Sequence, residues 1–152
     1  MKKLLLILMI GVVFMSCAKE DKVAVISTKF GNMIVEFYDD VAPMHVESFK
    51  ILADEGYFNK TTFHRVIPGF VIQGGDPNSK DDDRMNDGTG GRAGKFFGIG
   101  REDDPASWNL PAEFNDKEHV KGTLSMARSS NPNSGSSPVS YTHLTLPTTY
   151  HV

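Results

Sequence analysis

Hydrophobic and polar positions fall into short runs. Residues 23–27 and 33–38 are β-rich and flank Thr28-Lys29-Phe30-Gly31-Asn32, whose Gly31-Asn32 pair is a turn signal, so the pattern predicts a β-hairpin. A helix follows. Pro43 suits a first turn, Val46, Phe49, Leu52 and Ala53 recur at helical spacing on one face, and Gly56 supplies the stop. Residues 61–67 and 70–73 predict a second pair of strands joined through Pro68-Gly69. Residues 74–100 are rich in Gly, Asp, Asn and Lys without periodicity, which predicts a long loop region closely packed at its glycines. Residues 110–114 and 122–127 return to short β-like runs. Strands with one or two capping helices, and no alternating β–α pattern, favour an all-β antiparallel barrel over a doubly wound fold.

Residues 1–17 do not belong to that pattern. Lys2 and Lys3 precede an apolar stretch, 4–14, too short to span a bilayer comfortably, and Ser16-Cys17 closes it. The only cysteine follows a small residue at the end of a signal-like segment, so Cys17 is the expected lipidation site. Residues 18–22 read as a polar tether, and acyl chains on Cys17 would hold the domain at a bacterial membrane, in the cell envelope on the periplasmic or surface face. For a chain of 152 residues, 39% hydrophobic content and a net charge of −3 suit one globular domain. Basic residues are scattered, which argues against nucleic acid as a partner.

The densest informative segment runs Phe63-His64-Arg65-Val66-Ile67-Pro68-Gly69-Phe70-Val71-Ile72-Gln73-Gly74-Gly75-Asp76 and sets an arginine, two phenylalanines and a glutamine around one tight turn. It resembles the signature of the cyclophilins. Gly88-Thr89-Gly90-Gly91, Glu113-Phe114, Gly122-Thr123-Leu124-Ser125-Met126-Ala127 and Asn133-Ser134-Gly135-Ser136 are similar to later blocks of that family, in the same order. The resemblance covers residues 23–137, and implies an eight-stranded antiparallel barrel with capping helices, incomplete here at its C-terminal side. It also implies peptidyl-prolyl cis-trans isomerase activity with no metal, nucleotide or covalent intermediate. The partners it implies are proline-containing peptides and unfolded exported proteins, met by a monomer.

Amide resonance sets a barrier of about 18–20 kcal/mol to rotation about a peptide bond. In the twisted state the proline nitrogen turns pyramidal and gains a lone pair, so a fixed cationic donor aimed at it stabilises the transition state over either planar isomer. Arg65 is the candidate donor, because guanidinium stays protonated and presents its N–H groups in a rigid fork. Phe70, with Phe63 in support by family resemblance, is expected to receive the proline ring, the Gln73 amide to hold the substrate backbone, and Val71 to belong to the substrate-binding set. Ala127 and Arg128 resemble the family stretch that pairs with the extended peptide. Strict alternation along one strand would put Phe70 and Gln73 on opposite faces, so a bulge or strong twist is expected between them. A non-catalytic proline-peptide binder is the alternative, and intact Arg65, Phe70 and Gln73 favour the enzyme.

Other polar residues carry less. Amide rotation needs no general base, which leaves His64 a structural role. Asp81-Asp82-Asp83 lacks the spaced ligands and closing glutamate of a calcium loop and reads as a solvated stretch. Residues 134–137 with His143 lack a nucleophile-elbow context. The resemblance ends at Ser137. Family members continue there with a glutamine and an aromatic pair, whereas residues 138–148 match the translation of a sequencing-adapter string, so 138–152 is expected to be a non-native tail. Unpaired strand edges and a partial core are the expected consequence.

Overall fold

The computed structural model describes residues 22–142; the signal-like segment with Cys17, most of the tether, and residues 143–152 lie outside the described residues. Strands β1 (Ala24–Thr28) and β2 (Gly31–Val35) form the predicted hairpin. Its turn comes earlier than the Gly-Asn signal suggests. Thr28 and Gly31 pair directly, leaving Lys29 and Phe30 as the loop, and Gly31-Asn32 opens β2. The Thr28 hydroxyl fixes this position by donating to the Gly31 carbonyl at 2.9 Å and accepting from the Phe30 amide at 3.1 Å. With that register Ala24 and Ile26 face the core, while Val25 and Ile34, opposite one another, are exposed.

Helix α1 (Pro43–Asp54) starts on proline and stops in a Schellman motif: Tyr57 N–H donates to the Leu52 carbonyl and Gly56 N–H to that of Ala53, with Gly56 at φ +69°. Val46, Phe49 and Leu52 are buried as predicted. Ala53 is exposed, and Ser48 takes a buried place instead, its hydroxyl accepting from the Gly94 amide at 2.8 Å. Ala42 gives the helix no side-chain cap. Glu113, far along the chain, replaces it, with Oε1 accepting from Met44 N–H at 3.0 Å and Oε2 from His45 N–H at 2.9 Å. A carboxylate at that end also opposes the helix dipole.

Four strands form the second sheet: β3 (Arg65–Ile67), β4 (Val71–Gly74), β5 (Leu124–Met126) and β6 (Val139–Thr142), in the order β3-β4-β6-β5, all antiparallel. Its inner face contributes Ile72, Val139, Leu124 and Met126 to a core completed by Phe49, Phe37, Phe58 and Phe63. Phe49 stacks on Phe58 at 4.9 Å between ring centres and tilts against Phe37 at 5.7 Å. β6 lies in the segment expected to be a non-native tail. Ladder hydrogen bonds come from the backbone, so this pairing is open to any extended segment without proline.

Residues 110–114 do not form the predicted strand. Leu110 N–H bonds the Gly135 carbonyl in an isolated bridge, and the ladder stops at Pro111, which has no N–H to donate. The long 74–100 region is packed as predicted: the buried Asp76 carboxylate accepts from Asn78 N–H at 2.9 Å and Gly90 N–H at 3.3 Å. The described residues form two separate sheets, one α-helix and two short 3-10 turns, Pro77–Lys80 and Pro105–Ser107, rather than a closed eight-stranded barrel. Among them β1, β2, β3 and β5 each pair on one side only.

Candidate active site

The outer face of the four-stranded sheet is organised by its register. Arg65 lies opposite Gln73, Gln73 opposite Ser140, and Ser140 opposite Ser125, so these four residues form one row across all four strands. At about 4.8 Å per strand the row is roughly 14 Å long. Ile67 and Val71 form the next row outward.

Arg65 opens β3 with its side chain exposed, and its Nη1 donates to Gln73 Oε1 at 3.3 Å. No carboxylate among the described residues comes within ion-pair distance of this guanidinium. Most of its donors therefore stay available to an incoming acceptor, while one is held by a neutral amide that leaves the charge uncompensated.

Phe70 sits in the turn that joins the two strands, beyond the Ile67–Val71 pair. Pro68 and Gly69 occupy its centre, Gly69 has φ +75°, and Phe70 N–H donates to the Ile67 carbonyl at 3.0 Å, the arrangement of a type II turn. The expected bulge is absent: Ile67–Val71, Val66–Ile72 and Arg65–Gln73 pair without interruption. Phe70 belongs to the turn rather than to β4, so strand alternation does not govern its direction. Its ring is 51% exposed, whereas Val71, first in β4, is only 5% exposed.

Phe63 is placed elsewhere. It packs with the core cluster, and its Cδ1 lies 2.9 Å from where a Cβ on Gly74 would stand. Its support for an apolar wall therefore acts through the sheet and not by lining the Arg65 face. Ala127 lies two residues past Ser125 and donates its N–H to the Pro138 carbonyl at 3.0 Å, which sets it beyond the row rather than in it. Arg128 turns away. Its guanidinium sits 5.8 Å from the ring centre of Phe114 and donates to the Ser129 carbonyl. This pair borders an apolar cleft of about 480 Å³ lined by Phe37, Val46, Phe49, Leu124, Met126 and Val139. That cleft continues the core on the opposite face of the sheet, and none of Arg65, Phe70 and Gln73 lines it. The structure thus pairs Arg65 with Gln73, sets Val71 one row further along the same face and Phe70 in the turn beyond it, places Ala127 two residues past Ser125, and puts Phe63 in the core and Arg128 on Phe114.

Ser125 is a member of the row that sequence reasoning missed, while its partner Ser140 falls in the segment expected to be a non-native tail. A small polar residue carries no motif of its own, and only the pairing register reveals its place.

Comparison with known proteins identifies the family. The sequence profile of the cyclophilin type peptidyl-prolyl cis-trans isomerase/CLD family matches residues 23–142. A probable peptidyl-prolyl cis-trans isomerase of Brucella abortus is 40% identical over 122 residues, covering 80% of this chain and 58% of the relative. A peptidyl-prolyl cis-trans isomerase of Synechococcus elongatus is 36% identical over 113 residues, covering 74% of this chain and 63% of the relative. The chain thus spans about three-fifths of these relatives' length. Among solved structures, a Cryptosporidium parvum cyclophilin type peptidyl-prolyl cis-trans isomerase, crystallised in the presence of the dipeptide Ala-Pro, superposes with a TM-score of 0.65 at 29% identity, covering 83% of this chain and 70% of that one. Fold, motif order and family profile converge: this chain belongs to the cyclophilin type peptidyl-prolyl cis-trans isomerase family.

Proposed function

We propose that the protein catalyses cis-trans isomerisation of X-Pro bonds, with Arg65 as the catalytic donor. The carrying observation is an exposed guanidinium held at one nitrogen by Gln73, on the hairpin whose turn carries the half-exposed Phe70. A proline ring seated on Phe70 and against Val71 would bring its nitrogen within reach of the free Arg65 donors. Those donors meet little electron density in the planar amide, because the nitrogen lone pair is delocalised. They meet a localised lone pair in the twisted amide, so the attraction grows at the top of the barrier. Removing roughly 5 kcal/mol there corresponds to between three and four decades in rate. The roughly 14 Å row from Arg65 to Ser125 accommodates about four extended residues, with Gln73 and the backbone at Ala127 as hydrogen-bonding partners.

A closed eight-stranded barrel of the family kind would pair the strand edges that the described residues leave single-sided. The signal-like segment and Cys17 support a lipid-anchored folding catalyst of the cell envelope, acting as a monomer on exported chains whose X-Pro bonds limit folding. Exchange spectroscopy on a proline tetrapeptide with the full product of the gene tests the activity. Exchange accelerated at micromolar enzyme is expected; binding of the peptide without acceleration would favour the non-catalytic binder.

A further inference from the structure

The loop formed by residues 84–88 packs against the segment that leads into β3. Arg84 Nη1 lies 3.3 Å from both Thr62 Oγ1 and Asp87 Oδ2 and donates to each. Gly88, at φ +83°, packs against the His64 ring so closely that a Cβ there would stand 3.4 Å from Cδ2 and Nε2. Five buried side-chain polar atoms among the described residues have no hydrogen-bond partner, and four of them belong to this junction: His64 Nδ1, His64 Nε2, Asn86 Oδ1 and Asp87 Oδ1. An unsatisfied buried polar group costs about 1–3 kcal/mol, and such groups are rarely left so. The four atoms amount to one donor and three acceptors, a set that a single enclosed water with its two donors can complete. A neutral imidazole offers one donor and one acceptor, and both neighbouring side-chain oxygens accept.

We infer that His64 is a positioning residue for Arg65, hydrogen-bonded to the Asn86–Asp87 segment through one enclosed water. His64 directs its ring nitrogens into the protein where the next residue, Arg65, directs its side chain out. The two share a peptide unit. Gln73 steadies the guanidinium at its far end, and the His64 anchor steadies the backbone at its near end. A displacement of about 1 Å in a catalytic group can cost on the order of a hundredfold in rate, so an anchor one residue away has leverage on turnover. This inference rests on the isomerase reading of the Arg65 face.

The test compares His64→Leu, His64→Gln, Asp87→Leu and the His64→Leu/Asp87→Leu double variant in the full gene product, with kcat and KM measured separately on a proline tetrapeptide. His64→Leu is expected to lower kcat about tenfold with KM within about twofold, His64→Gln to recover at least about a third of the wild-type kcat, and the double variant to be no slower than the slower single one. An unchanged kcat in His64→Leu overturns the inference, as do single losses that multiply in the double variant. Should His64→Leu not fold, the nitrogen-15 shifts of the His64 ring in the unaltered protein decide: one hydrogen-bonded nitrogen supports the anchor, and two free nitrogens refute it. If the unaltered protein itself shows no isomerisation, the isomerase reading fails, and the ring shifts still report on the His64 bond.

Discussion

Arg65 and Gln73 are direct cross-strand partners of β3 and β4, and Arg65 Nη1 donates to Gln73 Oε1 at 3.3 Å. The bond ties a flexible cation to a strand that is paired on both sides, β4, while adding no opposing charge. Catalysis by stabilising a developing lone pair needs both properties, an aimed donor and an unspent charge.

Gln73→Leu removes the aiming bond and leaves the strand pairing intact. A lost hydrogen bond of about 1 kcal/mol predicts a fall of roughly fivefold in kcat/KM. Gln73→Glu would add a carboxylate beside the guanidinium and draw it into an ion pair, so activity should fall further. Steady-state rates on a proline tetrapeptide check both; a Glu variant as fast as the unaltered protein would contradict the need for an uncompensated charge.

Phe70 and Ile72 are close in sequence and opposite in role. Ile72 is buried against Phe49 and Val139, so Ile72→Ala should cost about 2–5 kcal/mol of stability. Phe70→Ala removes a half-exposed ring from a turn and should cost less than about 1 kcal/mol, while weakening binding of proline peptides. Denaturant melts and peptide titrations of both variants separate the effects.

Glu113 joins two distant parts of the chain by accepting hydrogen bonds from the amides of Met44 and His45. Glu113→Ala leaves those two donors at the start of α1 without their carboxylate and should destabilise the protein by about 2 kcal/mol, read from the denaturant midpoint. Glu113→Gln keeps one acceptor and should recover about half of that loss.

Arg128 rests on Phe114 at the rim of the core-side cleft, away from the Arg65 row. Arg128→Ala should therefore leave tetrapeptide kcat/KM within about twofold of the unaltered value. A drop comparable with that of Gln73→Leu would place Arg128 back among the substrate contacts.

Local chemistry made part of this legible in the sequence. Pro43 and Gly56 bound α1, Pro68-Gly69 marks the central turn, and the motif from Phe63 to Asp76 contains Arg65, Phe70, Val71 and Gln73. What failed depended on distance along the chain. The missing strand at 110–114 reflects Pro111 and a glutamate engaged by a helix some seventy residues away. Ala53 fits the apolar stripe of α1 by spacing, yet the packing of Gly94 selects Ser48 for burial. Phe63 and Phe70 look equivalent as flanking aromatics, and the turn sends one outward while the core takes the other. The Arg65–Gln73–Ser140–Ser125 row depends on strand order and register, which no single segment encodes.

The most direct test of the account is the isomerisation rate of a proline tetrapeptide with the full gene product and its Arg65→Ala variant, alongside thermal melts of both. Arg65 is exposed and makes one side-chain hydrogen bond, so its removal should lower kcat/KM by at least about tenfold and leave the melting curve nearly unchanged. Equal rates for the two proteins would contradict the role assigned to Arg65.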